Sequence, residues 1–66
     1  MTINEVVAMI GAKFNSERDR FFVSVNNPVT PGVKTPGDTV VSSFEVAFEY
    51  YDDGSTDVLV YVDIEQ

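Results

Sequence analysis

The chain has 66 residues, no cysteine, no histidine and a formal net charge of −7 at pH 7. That length suits one domain near the lower limit for a self-supporting core. The missing residue types exclude a disulfide framework, a thiolate metal site and the commonest general base.

Charge is unevenly spread along the chain. Lys13, Arg18, Arg20 and Lys34 are the only bases and face three acids up to position 34, whereas residues 35–66 carry eight acids and no base. Such asymmetry points to a surface for a positively charged partner. It argues against direct nucleic-acid binding, which needs basic side chains to neutralise phosphates. Met1 leads into a capped amphipathic segment, not a basic region followed by an apolar run, and no apolar stretch approaches the ~20 residues that span a bilayer. A cytoplasmic protein without membrane contact is expected.

In chain order, Thr2 and Glu5 match the capping box of a helix start. Ile3, Val6, Val7, Ile10 and Phe14 follow at helical spacing and predict one amphipathic helix over about 3–14. Gly11 lies beside that stripe, either tolerated or allowing helix and sheet to approach closely, and Asn15-Ser16 ends the helix. Glu17-Arg18-Asp19-Arg20 reads as a charged, solvated connection. A first strand over about 20–26 places Phe21, Val23 and Val25 on one side and Phe22 on the other.

Residues 27–37 form a loop in which Thr30-Pro31-Gly32 recurs as Thr35-Pro36-Gly37. Pro-Gly is a type II turn signal, since proline presets φ and glycine supplies the positive φ that follows. Two successive turns are expected, in a loop long enough to be mobile. No Gly-Lys-Ser/Thr follows, so the loop is not a phosphate-binding loop. The functional alternative is a protruding loop whose Lys34 touches a partner.

The remainder predicts a hairpin with strands over about 39–51 and 56–65. Val40, Ser42, Phe44, Val46, Phe48 and Tyr50 share one face with Thr56, Val58, Val60, Val62 and Ile64. A two-residue turn at Asp53-Gly54 would mix the faces, a slip that burial of one face disfavours. A three-residue loop, Asp52-Asp53-Gly54, with glycine in the left-handed position keeps them apart. This register pairs Phe48 with Val58, Val46 with Val60 and Phe44 with Val62, and sets Glu49 opposite Asp57, a destabilising like-charge pair. The expected fold is α+β: one N-terminal helix packed on a three-stranded antiparallel sheet, in the order α-β-β-β.

No motif for chemistry survives inspection. A calcium loop starting at Asp52 would need its closing glutamate at the twelfth position, where Asp63 lies deep in a strand. Glu49 and Asp57 could act as paired carboxylates, but on an open sheet face with no lid. A serine or threonine nucleophile has no histidine to activate it. A non-enzymatic protein without cofactor or metal is expected.

The outer hairpin face is the candidate site. Glu45, Glu49, Asp57, Asp63 and Glu65, with Asp52 and Asp53 of the turn, spread seven carboxylates over a hairpin of roughly 30 Å. That is about one charge per 4 Å, close to the ~3.4 Å phosphate spacing of a DNA strand. Tyr51, Leu59 and Tyr61 lie among them, joined by Phe22 if the first strand shares the sheet, and large side chains of this kind anchor protein interfaces. An Arg from the partner would relieve the repulsion between Glu49 and Asp57. In size, acidity and lack of catalytic residues, the chain resembles the small DNA-mimic proteins of phages and mobile elements, the anti-CRISPR and anti-restriction proteins. The resemblance implies an inhibitor, monomeric or dimeric, that occupies the basic DNA-binding surface of a host defence protein in the bacterial cytoplasm. The alternative is a small phage or plasmid assembly module that oligomerises through the same face.

Overall fold

The helix begins where the capping box predicts. A computed structural model describes residues 1–14 and 17–66 and contains α1 (Ile3–Gly11), β1 (Arg20–Val25), β2 (Val41–Tyr50) and β3 (Thr56–Ile64). The Glu5 N–H donates to Thr2 Oγ1 at 3.2 Å and the Thr2 N–H donates to Glu5 Oε1 at 3.0 Å. The next two free helical amides are satisfied from outside the helix: Ile3 N–H donates to the Thr39 carbonyl at 3.1 Å and Asn4 N–H to the Gly37 carbonyl at 2.9 Å. All the amides that a helix start leaves unpaired thus have acceptors. These bonds also tie the end of the 27–37 loop to α1. The first Pro-Gly turn forms as expected, with Gly32 at φ 81° and Val33 N–H donating to the Thr30 carbonyl. The second shifts by one residue, with Thr39 N–H donating to the Pro36 carbonyl.

The helix is shorter than the apolar stripe suggests. It ends at Gly11, and i→i+3 bonds from Lys13 to Ile10 and from Phe14 to Gly11 bring Phe14 onto the core as a tighter turn. Nothing lies within 4 Å of a Cβ placed on Gly11, so tolerance rather than close approach explains that glycine. The expected helix stop at Asn15-Ser16 lies outside the described residues.

The hairpin register is as read. Phe48 pairs with Val58, Val46 with Val60, Phe44 with Val62 and Glu49 with Asp57. Gly54, at φ 86°, closes the turn through its N–H to the Tyr51 carbonyl. One local expectation fails. The pairing slips between Val41 and Ser43, so Val41, not Val40, packs toward the core while Val40 stays exposed. A bulge of this kind adds one residue to one strand and reverses its alternation beyond that point.

The sheet is mixed rather than purely antiparallel. Its order is β1-β3-β2, with β2 antiparallel to β3 and β1 parallel to it. The loop from β1 to β2 passes the C-terminal end of β3, which reverses β2 relative to β1 and leaves β3 between them. The alternate residues Val58, Val60, Val62 and Ile64 of β3 are all buried, which suits the strand with a neighbour at each edge. They are buried against Ile3, Val6 and Ile10 of α1.

Asn27 secures the crossing. Its side-chain Nδ2 donates to the Ile64 carbonyl at 3.0 Å and its Oδ1 accepts from the Ile64 N–H at 2.9 Å, extending the β1–β3 ladder by one side chain. Replacing Asn27 by Ala strands both backbone groups and is expected to cost about 1–3 kcal/mol. Urea denaturation would read this as a lower midpoint at unchanged slope.

Candidate protein-interaction face

Alternation places two sets of side chains on opposite faces of the sheet. The set opposite the helix forms four cross-strand rows. At the turn end Arg20, Asp57 and Glu49 are neighbours; then come Phe22, Leu59 and Ala47; then Ser24, Tyr61 and Glu45; and last Asp63 beside Ser43. This face carries Glu45, Tyr61 and Asp63 together, and α1 lies on the other side of the sheet. Its centre is apolar and its carboxylates lie around that centre. Glu45 and Glu49, four residues apart on β2, are separated by ~13 Å at the usual strand rise. The single line of charges at phosphate spacing, expected from the sequence, is not formed.

The first row also corrects the sequence reading. Asp57 is buried, and its carboxylate takes Arg20 Nε on Oδ1 at 2.9 Å and Arg20 Nη2 on Oδ2 at 2.9 Å. The Tyr51 hydroxyl donates to Asp57 Oδ2 at 2.7 Å and lies 3.3 Å from Glu49 Oε2. The Asp57 side chain is 8% exposed and that of Arg20 67%, so the guanidinium lies over the carboxylate and shields it from solvent. It also sits 5.5 Å from the Phe22 ring centroid, within cation–π range. Repulsion between Glu49 and Asp57 is therefore relieved within the chain, and Asp57 presents no free carboxylate to a partner.

The segment 17–20 is a clamp rather than a solvated connection. Asp19 Oδ1 accepts from the Thr56 N–H at 3.1 Å, Arg20 holds Asp57, and the Arg18 guanidinium lies beside Gly54 of the turn. Two of the chain's four bases thus reach the acidic hairpin. The sequence offered a signal: alternate bases, Arg18 and Arg20, lead directly into a strand, where alternation sends both to one face.

The remaining candidates are distributed as follows. Glu45, Glu49 and Tyr61 are exposed and Leu59 is half-buried at the centre of the face. Asp63 accepts from Ser43 Oγ at 3.0 Å. Asp52 and Asp53 project from the turn, with Asp53 accepting from the Ser55 N–H at 2.9 Å and from its hydroxyl. Glu65 lies beyond β3, its N–H bound to the Val40 carbonyl. Tyr51 braces Asp57. Lys34 lines a cleft of about 560 Å³ between α1, β1 and the loop, away from the acidic face. No group of three or more Asp or Glu among the described residues is arranged to hold a metal ion. No helix among them is long and apolar enough to cross a membrane.

No protein-family model matches the chain, and neither a curated protein nor a solved structure shows significant similarity to it.

The Arg20 guanidinium and then the Tyr51 hydroxyl hold the Asp57 carboxyl below the usual carboxylate range. A lowered folded-state value contributes stability that is complete above the unfolded value, about 3.9, and is lost as pH falls through the folded one. Asp57→Asn is therefore expected to lower the melting temperature near neutrality and to flatten the decline in stability below about pH 4. Thermal melts of both proteins across that range would show it. The same bond acts in reverse on Tyr51, whose pKa is raised first by its hydrogen bond to Asp57 and then by desolvation. That contribution is complete below about pH 10 and is lost as pH rises through the folded value. Absorbance titration should show a late-ionising tyrosine in the native chain that disappears in Tyr51→Phe.

Proposed function

We propose that this protein is a non-enzymatic binding protein that presents the uncovered sheet face to a basic, nucleic-acid-binding surface of another protein and blocks it. The observation that carries the reading is the composition of that face: an apolar centre of Phe22, Leu59, Ala47 and Tyr61 with Glu45, Glu49, Asp63 and the turn acids around it. Protein interfaces are built with an apolar, desolvated centre and a polar rim. Carboxylates at the rim would steer a cationic partner at long range and contribute more to encounter and specificity than to raw affinity. The mimicry in this reading lies in charge and occupancy, because the carboxylates surround a patch and do not copy a phosphate strand.

A host defence protein, such as a CRISPR effector or restriction enzyme, is the kind of partner that this chemistry and the likeness in size and acidity favour. Self-assembly through the same face would crowd Glu45, Glu49 and Asp63 of two copies together, at a desolvation and repulsion cost that a basic partner avoids.

The test is capture from a bacterial lysate by the immobilised protein, with salt elution and with duplex DNA as competitor. The native chain should retain a DNA-binding protein that added duplex releases and that elutes early as salt screens the contact. Glu45→Lys combined with Glu49→Lys should lose it, while the fold persists because both positions are exposed. Asp57 is left intact, since its replacement would disturb the clamp. Retention of the same partner by the double variant, or indifference to duplex DNA, would refute the proposal.

A further inference from the structure

The outer edge of β2 offers a second surface, independent of the acidic face. β2 is ten residues long and lies at the margin of the sheet, so every second residue turns its N–H and C=O away from β3 with no strand to receive them. Its start is already covered. Val41 N–H donates to the Met1 carbonyl at 2.7 Å, and Thr2 bridges Val40 in antiparallel sense. The stretch between that cover and the turn is residues 42–50, whose midpoint is Val46. It contains no proline, lysine or arginine, and its bulge lies at the covered end. Of the features by which natural edge strands discourage pairing, the charges of Glu45 and Glu49 are what its sequence carries. On the helix side of this strand the short α1 leaves Phe44, Phe48 and Tyr50 exposed, at 37%, 42% and 77%. Phe48 and Tyr50 stack with their ring centroids 6.2 Å apart. They form an apolar strip along an open edge.

We infer that this edge pairs with the same edge of a second copy, antiparallel and centred on Val46, to give a continuous six-stranded sheet. The occupant follows from the pattern of the strand itself. Pairing about Val46 sets Phe44 opposite Phe48 of the other copy, twice, and closes the apolar strip. On the opposite face it sets Glu45 opposite Ala47 and Glu49 opposite Ser43, so no carboxylate faces another. Centres at residues 45, 47 or 49 each place glutamate directly opposite glutamate, which is destabilising. Among the centres that avoid this, only Val46 bisects the stretch left open by Met1 and the turn. The two-fold axis then stands perpendicular to the sheet, as an isologous dimer of this kind requires. Both acidic faces point the same way and become one surface of twice the extent. The pairing does not rest on the function proposed for that surface.

Substitution at Ala47 tests both partner and register, because this residue is exposed and faces Glu45 of the second copy only in the Val46-centred arrangement. Analytical ultracentrifugation of the full chain should show a concentration-dependent dimer. Ala47→Glu should weaken it about tenfold, since two symmetric like-charge pairs of cross-strand magnitude are created. Ala47→Lys should instead tighten it by placing opposite charges there. Circular dichroism spectra superimposable on that of the native chain would establish that both variants fold. A native chain that remains monomeric at every concentration overturns the inference. So does weakening by both variants alike, the result expected if Ala47 faces itself across the axis.

Discussion

The apolar row of β3 under α1 is the contact on which the rest of this small structure depends. Val58, Val60, Val62 and Ile64 meet Ile3, Val6 and Ile10 in a core of seven buried apolar side chains among the described residues. Without cysteine, a chain of this length has no disulfide to substitute for such a core. Because β3 supplies more than half of it, β3 must be flanked on both sides, and that requirement accounts for the strand order. The hairpin covers one flank. β1 covers the other, in parallel pairing. The crossing loop that makes this possible is held by Asn27 at the end of β3 and by the helix-start amides at Gly37 and Thr39.

Charge is organised by the same topology. Along the chain the acids and bases look segregated, but folding brings Arg18 and Arg20 to the acidic hairpin. Arg20 meets Asp57 across the parallel pair, Tyr51 reaches the same carboxylate from the end of the hairpin, and Glu49 stands beside it. A close like-charge pair on adjacent strands therefore becomes part of a three-strand cluster with an internal counter-ion. The consequence is local. Away from that cluster, Glu45 and Asp63 have no basic neighbour in the strand rows, so the surface charge that remains is concentrated toward the other end of the sheet and on the turn.

Two surfaces of different physical character result. The face opposite the helix has an apolar middle and a charged margin, suited to a partner with compensating charge. The edge of β2 has unpaired backbone groups with an aromatic strip along one side, suited to another strand. Helix length links them. An α1 of nine residues suffices to cover β3 but not the outer part of β2, which leaves Phe44 and Phe48 partly bare on the side that a longer helix would bury. The acidic face is open for a different reason, since no second helix among the described residues lies upon it.

Local rules were legible in the residues themselves. The capping box at Thr2 and Glu5, the Gly54 turn, the Phe48–Val58 register and the alternation of faces through the hairpin each depend on neighbours close in sequence, and sequence alone determined them. The arrangement of distant parts was not. The parallel partnership of β1 with β3, the bulge that turns Val41 inward and the Arg20–Asp57 pair join segments separated by tens of residues, and only the tertiary structure decided them. The physical reason is that a strand's alternation specifies which face is buried but not which neighbour lies beside it. That choice is made by the competition of all strands for the one central position, and it decides which charges meet.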